Sequence, residues 1–436
     1  MLIFLALLQA ATLAPVQRDS VPPADSVPRI SLGEAIHRSA HLDPDYVRAL
    51  GQIDNAEWGR RAATLAFFIP ALDFGLDETK YSQGFFNPAN PSDPTSTLVV
   101  GRASATYQVF SLRKFADLPR TKAELASAEA GELEQRFRTA LETESSYYDV
   151  LVNQELSRVS DERVVRARQG LAVARARVTS GAAVQTDSLQ LVLELVRAQV
   201  EVLRQRNAYR TAQLELGRRV GVAGPVDALP ADTSTAPALP ITLMEAVRIG
   251  LDQGPQYRAA LANERSADAT LRSQRGDYLP VVTLGALHQR YDTQLFPGAS
   301  NITSLTVGVT WPLWDNGQRE IEVSRARVNR DVARTIREDL ERAVRRDVSS
   351  AYDTYETATA AVELARVAVT VAQQNYRMQE LRYRSGATTI LDLLDAQVSL
   401  ADAEAGLVQA RYQTRLALAR LEAILGRRLF SNKEAP

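Results

Sequence analysis

The segment ISLGEAIHRSAHLDPDYVRAL, beginning at Ile30, returns without a gap as ITLMEAVRIGLDQGPQYRAAL from Ile241. Leu32 pairs with Leu243, Glu34 with Glu245, Pro44 with Pro255 and Tyr46 with Tyr257. Further on, Pro70 answers Pro280 after a single-residue shift, and Gly181 answers Gly386. A period of about two hundred residues is far longer than any solenoid repeat, so the simplest account is duplication of a whole structural unit. The repeats run over residues 30–221 and 241–428. Between them VAGPVDALPADTSTAPALP (222–240) has the composition of a linker; residues 15–29 read as an N-terminal linker and 429–436 as a short tail.

Each repeat opens with a helix that Ser31 or Thr242 N-caps, Glu34 or Glu245 completing a capping box. The helical pattern resumes after the internal proline, through about residue 66 and, in the second copy, residue 277. The hydrophobic period then changes to two. Leu72, Phe74 and Leu76 alternate with Asp73, Gly75 and Asp77; Val99 to Val109 are apolar or small at odd positions and polar between; Leu305, Val307, Val309, Trp311 and Leu313 repeat the pattern. Four strands result, at about 70–81, 97–110, 280–291 and 302–314, two per repeat. Phe67, Phe68, Tyr107, Phe110, Tyr278, Trp311 and Trp314 mark the ends nearest the helices, and Tyr81 and Tyr291 the ends nearest the loops. The spans fit the ~9–11 tilted residues of a membrane strand between aromatic girdles. An ordinary hairpin with aromatics in its core is the competing reading; two girdles recurring in both repeats favour the membrane. Four strands cannot close a barrel, and open edges cannot stand in lipid, so such a chain must oligomerise.

The remainder is helix. From about Asp117 to Thr179 and from about Gln318 to Tyr383 the pattern is nearly unbroken, long enough for helices of ~90 Å. In the second copy Val328, Val332, Ile336, Leu340, Val344, Val348 and Tyr352 recur at steps of four. Such a row drifts ~40° per step around the helix, past one neighbour toward another, which suits a helix flanked on both sides better than a two-stranded coiled coil. Both long helices stop at a glycine turn, VTSGAAVQTD and YRSGATTILD, from which a second helix of about forty residues returns.

Together these residues resemble the TolC family of outer-membrane efflux proteins. The similarity is densest from Met378 to Gly426, and includes the opening LxEA segments at Leu32 and Leu243, the junction WPLWDNG (Trp311 to Gly317) and the first tip, RVTSGAAVQTD (Arg177 to Asp187). The resemblance implies a mainly α fold with a membrane β-barrel: a homotrimer with twelve strands, four per chain, continued by a periplasmic α-helical barrel. It also implies an exit duct for an efflux pump or type I secretion system, served by a periplasmic adaptor and an inner-membrane transporter of the RND, ABC or MFS class. Carried over residue by residue, Asp392 and Asp395 match an acidic constriction, whose like charges would resist joint ionisation. Thr186, Asp187 and Tyr383 match gating contacts of the closed tip. Thr388 stands where the family's best-known pattern has an arginine, leaving Arg382 or Arg384 as substitutes. Arg177, Gly181, Arg382 and Gly386 match tips that meet the adaptor.

Composition removes other functions. The chain has no cysteine and three histidines, so disulfides, thiolate metal sites and catalytic thiols are excluded and triad chemistry has little material. A net charge of −1 with intermixed signs argues against a nucleic-acid partner. No phosphate loop, nucleophile elbow or HExxH motif occurs, and no cofactor or enzyme activity is expected. His37 and His41, four apart, lack a third ligand. Residues 1–14 form the apolar core of a signal peptide with Thr12 and Ala14 as a cleavage pair, yet no cation precedes it; either the leader is longer or the signal is weak. The alternative to a duct is a periplasmic coiled-coil scaffold whose strands never enter lipid.

Overall fold

The structure is a computed structural model; it describes residues 27–85, 87, 92, 94–230, 237–293 and 300–430. The signal-peptide segment therefore lies outside the described residues. In chain order the elements are β1 (Arg29–Ile30), α1 (Leu32–Leu42), α2 (Pro44–Leu65), β2 (Ala71–Phe85), β3 (Thr95–Phe110), α3 (Leu112–Thr179), α4 (Gln185–Arg219), β4 (Asp227–Ala228), α5 (Leu243–Gln253), α6 (Pro255–Gln274), a 3-10 turn (Arg275–Tyr278), β5 (Val281–Asp292), β6 (Ser300–Thr310), α7 (Gln318–Ser385) and α8 (Ile390–Leu425). Half of each expected capping box forms, since the Glu34 carboxylate turns to Arg38 and neither glutamate reaches back to the cap amide. Ser31 and Thr242 side chains accept from the amides of Glu34 and Glu245, each at 3.3 Å.

The strands form one antiparallel sheet in the order β2-β3-β5-β6, so β3 and β5 join the two repeats and β2 and β6 are its edges. β6 ends at Thr310 rather than near residue 314. Pro312 has no amide to donate to a ladder, and the chain turns there. α3 starts earlier than the sequence pattern suggests. It follows β3 after Ser111 alone, whose hydroxyl accepts from the Lys114 amide, and it carries Pro119 in its second turn.

α3 and α7 each contain 68 residues, so each runs about 100 Å away from the sheet. Near the far end the packing order is α4-α3-α8-α7, and nearer the sheet it is α2-α3-α6-α7. The row read at steps of four on α7 behaves as its drift requires. Val328, Val332 and Ile336 are exposed, whereas Val344 and Val348 are buried against Ala246, Ile249, Leu421 and Leu425. Between α3 and its partners, ion pairs replace part of the apolar core. Arg166 grips Glu404 of α8 with both arms (2.7 and 3.2 Å), and Arg163 grips Glu194 of α4 at 2.6 Å.

Two segments expected as linkers are built into this body. β1 and β4 form a parallel two-stranded ribbon, with Val226, Asp227 and Ala228 buried. The Asp227 carboxylate accepts from Tyr209 at 2.7 Å and pairs with Arg29 at 3.4 Å. At the other end, Arg428 bridges buried Glu144 and Glu422, and the Leu429 amide donates to Glu422 at 2.7 Å. The start of the expected tail is thus pinned.

Candidate functional site

The sheet has two chemically distinct faces. Cross-strand partners share a face, so the register aligns Leu72, Ala105, Ala286 and Leu305 in one row and Tyr107, Leu284 and Val307 in another. Leu72, Phe74, Leu305, Val307 and Val309 are all 69–81% exposed, an apolar surface with nothing over it in the single chain. The opposite face carries Asp73, Asp77, Arg102, Ser104, Gln289, Ser304 and Thr306, with Arg102 paired to Asp77.

The apolar band crosses this register obliquely. It centres on Phe74 in β2 and on Val307 in β6, whose row falls four residues lower on β2. That descent over three strand spacings corresponds to a tilt of roughly 40–45° if the band lies level, as in membrane barrels. The girdle residues divide. Phe68, Phe110, Tyr278, Trp311 and Trp314 are exposed at the helix-side rim. Phe67 and Tyr107 instead flank buried Lys114, whose ammonium lies 4.6 and 4.3 Å from their ring centres and donates to the Gln108 carbonyl at 2.7 Å. Tyr291 does not belong to an outer girdle: it pairs with Val100 and Ser300 on the polar face and donates to Gln289 at 2.7 Å. The period of two decides this, because residue 291 is one step out of phase with Leu284 and Ala286. Tyr81 lies just beyond the regular β2–β3 register, which shifts after Lys80.

At the far end the two helical hairpins finish in the same turn. Gly181 has φ +74° and Gly386 φ +82°. In the first, Ala182 and Gly181 donate to the carbonyls of Arg177 and Val178 (2.8 and 3.0 Å); in the second, Ala387 and Gly386 donate to Arg382 and Tyr383 (2.7 and 3.1 Å). This is the Schellman arrangement, in which only glycine adopts the left-handed position without strain.

Two side chains, Arg177 and Tyr383, join the tips. The Arg177 guanidinium lies over the Tyr383 ring at 4.6 Å, donates to the Tyr383 carbonyl, and donates to the Ala182 carbonyl at 3.0 Å. Tyr383 is buried, and its hydroxyl points to Asp187 at 3.4 Å. Burial, with the Asp187 charge added, pushes the Tyr383 phenol above its ordinary pKa. The cation facing Tyr383 is thus Arg177, expected as an adaptor contact. Arg384, expected as a substitute, pairs with Glu380 on its own helix at 2.6 Å. The sequence holds arginines near both tips and cannot tell which one crosses. Thr186 is exposed in the first turn of α4.

Asp392 and Asp395 lie exposed on α8, opposite the buried Leu393, Ala396 and Leu400. Asp392 closes a capping box: its carboxylate accepts from the Thr389 hydroxyl (2.6 Å), the Thr388 hydroxyl (2.8 Å) and the Thr389 amide (3.1 Å). These bonds hold its pKa below the usual carboxylate value. Within the chain these bonds favour the ionised form of the Asp392 carboxyl. Thr388, expected among the gating contacts, serves this cap.

The model of the outer membrane efflux protein family matches residues 36–222 and 249–427, nearly the whole of both repeats. The chain belongs to this family. Among its relatives are the pyoverdine export outer membrane protein OpmQ of Pseudomonas putida, 26% identical across 90% of this chain and 83% of OpmQ, and the outer membrane efflux protein BepC of Brucella suis, 26% identical across 64% of this chain and 61% of BepC. The outer membrane channel CmeC of Campylobacter jejuni superposes with a TM-score of 0.76 over 92% of this chain and 87% of CmeC, at 14% identity; the outer membrane protein VceC of Vibrio cholerae gives 0.73 over 92% and 97%, at 17%. As an outer membrane efflux protein, the chain belongs in the outer membrane, with its helices in the periplasm. The family is one of channels, not enzymes. Among the described residues no helix is long and apolar enough to cross a membrane.

Proposed function

We propose that three copies of this chain form the outer-membrane exit duct of a tripartite efflux pump or type I secretion system, passing cargo from an inner-membrane transporter and a periplasmic adaptor to the exterior. The supporting observation is that the molecule ends in two unfinished edges. Among the described residues the sheet stops at β2 and β6, whose outer amides have no partner strand. The helical layer stops on the same two sides. α7 exposes Leu364, Val367, Val371, Met378 and Leu381, and α4 exposes Leu189, Leu193, Val196, Val200 and Leu203. Three-fold repetition pairs β6 with the next copy's β2 and α7 with its α4, giving a twelve-stranded barrel above a hollow ring of helices.

In that arrangement Asp392 and Asp395 face the axis near the tips and form the cation-binding constriction. Gly181 and Gly386 present the turns to the adaptor with Arg382, and Arg177, Asp187 and Tyr383 hold the hairpins in the closed state. The purified protein in planar bilayers should show cation-selective conductance that millimolar divalent cations block. Asp392→Asn with Asp395→Asn should weaken the block by roughly tenfold or more, since each carboxylate contact to a cation contributes on the order of 1 kcal/mol. Because Asp392 has a lowered pKa, its share of the block persists on acidification and is lost only as pH falls below the ordinary value of 3.8. A pure trimer that never conducts would overturn the duct, and unchanged block in the double variant would remove the acidic pair from the constriction.

A further inference from the structure

Where the strands meet the helices, a cleft of about 440 Å³ is lined by Arg113, Asp277, Asp315, Arg319 and Glu322, with Val281 and Pro312 at its edge. Val281 begins β5 and Pro312 follows β6, so the cleft opens at the periplasmic rim of the membrane sheet. Directly beside it Trp311, Leu313 and Trp314 are 57%, 74% and 74% exposed. The Arg319 side chain is only 8% exposed. It stacks on Tyr278 at 4.5 Å and donates to the Pro312 carbonyl at 2.8 Å, yet its Nε is buried without a partner. Asp315 accepts from the Arg319 amide at 3.1 Å through one oxygen, and its other oxygen, Oδ1, is also buried and unpartnered. It is the only such carboxylate oxygen among the described residues.

Two side chains that line one cleft thus each hold a buried polar atom without a partner, a cost that a ligand carrying both functions removes once the side chains turn toward it. We infer that this cleft seats the headgroup of a phosphoethanolamine lipid, its phosphate on the Arg319 guanidinium and its ammonium on the Asp315 carboxylate. Three observations select a membrane lipid over a free anion. The cleft lies at the rim of the sheet, both charge signs line it, and the exposed Trp311-to-Trp314 turn offers an apolar bed for the acyl chains. The carboxylate selects among lipids. Ethanolamine offers three N–H donors to Asp315, choline none, and glycerol no positive charge. The inference rests on the sheet lying in a bilayer, and it goes beyond conduction.

Native mass spectrometry of the detergent-purified protein, titrated with ethanolamine, choline and glycerol phospholipids of identical chains, tests it. The wild type should retain the ethanolamine lipid roughly tenfold over the choline lipid, the scale of a charge-assisted hydrogen bond. Asp315→Asn keeps the acceptor for the Arg319 amide and should erase the preference without lowering the melting temperature. Equal retention of the three lipids by the wild type, no retention at all because a neighbouring subunit fills the cleft, or a preference that survives Asp315→Asn would each overturn the assignment. Every residue of the cleft belongs to one chain, so a monomer-only spectrum would count against the trimeric duct while its lipid ratio still decides the headgroup seat.

Discussion

Arg177 does the work of several residues at the periplasmic tip, because its guanidinium satisfies one carbonyl from each hairpin turn while covering the face of Tyr383. Replacing it with alanine leaves the Tyr383 carbonyl with the Gly386 amide alone, takes a donor from the Ala182 carbonyl and removes the cation from the ring, a loss of about 2 kcal/mol between the hairpins. Arg177→Ala should therefore raise amide hydrogen exchange in both tips at once, residues 177–187 and 382–392, and raise the open-channel fraction in bilayers. Arg177→Lys should recover the contact to the ring but not the two-carbonyl bridge. Exchange confined to the first tip would show that the hairpins do not depend on each other. The glycines of these turns are legible in sequence because a left-handed position has few alternatives to glycine. The bridging arginine is not, since Arg177 and Arg382 stand at the same spacing before their glycines with Arg384 nearby, and only the crossing of two helices distant in sequence selects one. The same applies to Arg428, whose buried partners Glu144 and Glu422 lie on two different helices.

Among the elements, the long helices and the strands were readable because each carries its periodicity over many residues. β1 and β4 were not, being two residues each and paired across the whole first repeat. The most informative element is α7. Its row at steps of four runs from solvent into the core within one chain, and its exposed stretches are the surface that the proposed trimer would cover. Leu364 and Val371 are 72% and 59% exposed on the tip-side stretch. Burying each against α4 of another copy is worth about 1.5–3 kcal/mol, and that contact recurs three times around a ring. Leu364→Arg with Val371→Arg should leave far-UV helicity unchanged and convert the trimer to monomer in mild detergent, as light scattering after gel filtration reports. A stable trimer from this variant would place the subunit contact on another face.

For the whole molecule, closure is a question of parity and direction as well as of apolar area. β2, β3, β5 and β6 alternate in direction, and an even number per chain means that β6 of one copy would meet β2 of the next antiparallel, so the proposed three-fold barrel needs no exception to its ladder. The two faces add a constraint. Asp73 of β2 shares the polar face with Ile302, Ser304 and Thr306 of β6, whereas Thr303 and Leu305 share the apolar face. The chain contains no cysteine, so an introduced pair reports without background. Asp73→Cys combined in turn with cysteine at Ile302, Ser304 or Thr306 should give intermolecular disulfides from at least one position, running as dimer and trimer bands on non-reducing gels. Asp73→Cys combined with cysteine at Thr303 or Leu305 should give none, since those Cβ atoms leave the sheet on its other side and a disulfide spans only ~3.5–4.5 Å between Cβ atoms. Cross-links from both sets would mean that the edges are frayed, and links from neither would mean that β2 and β6 of neighbouring copies never meet.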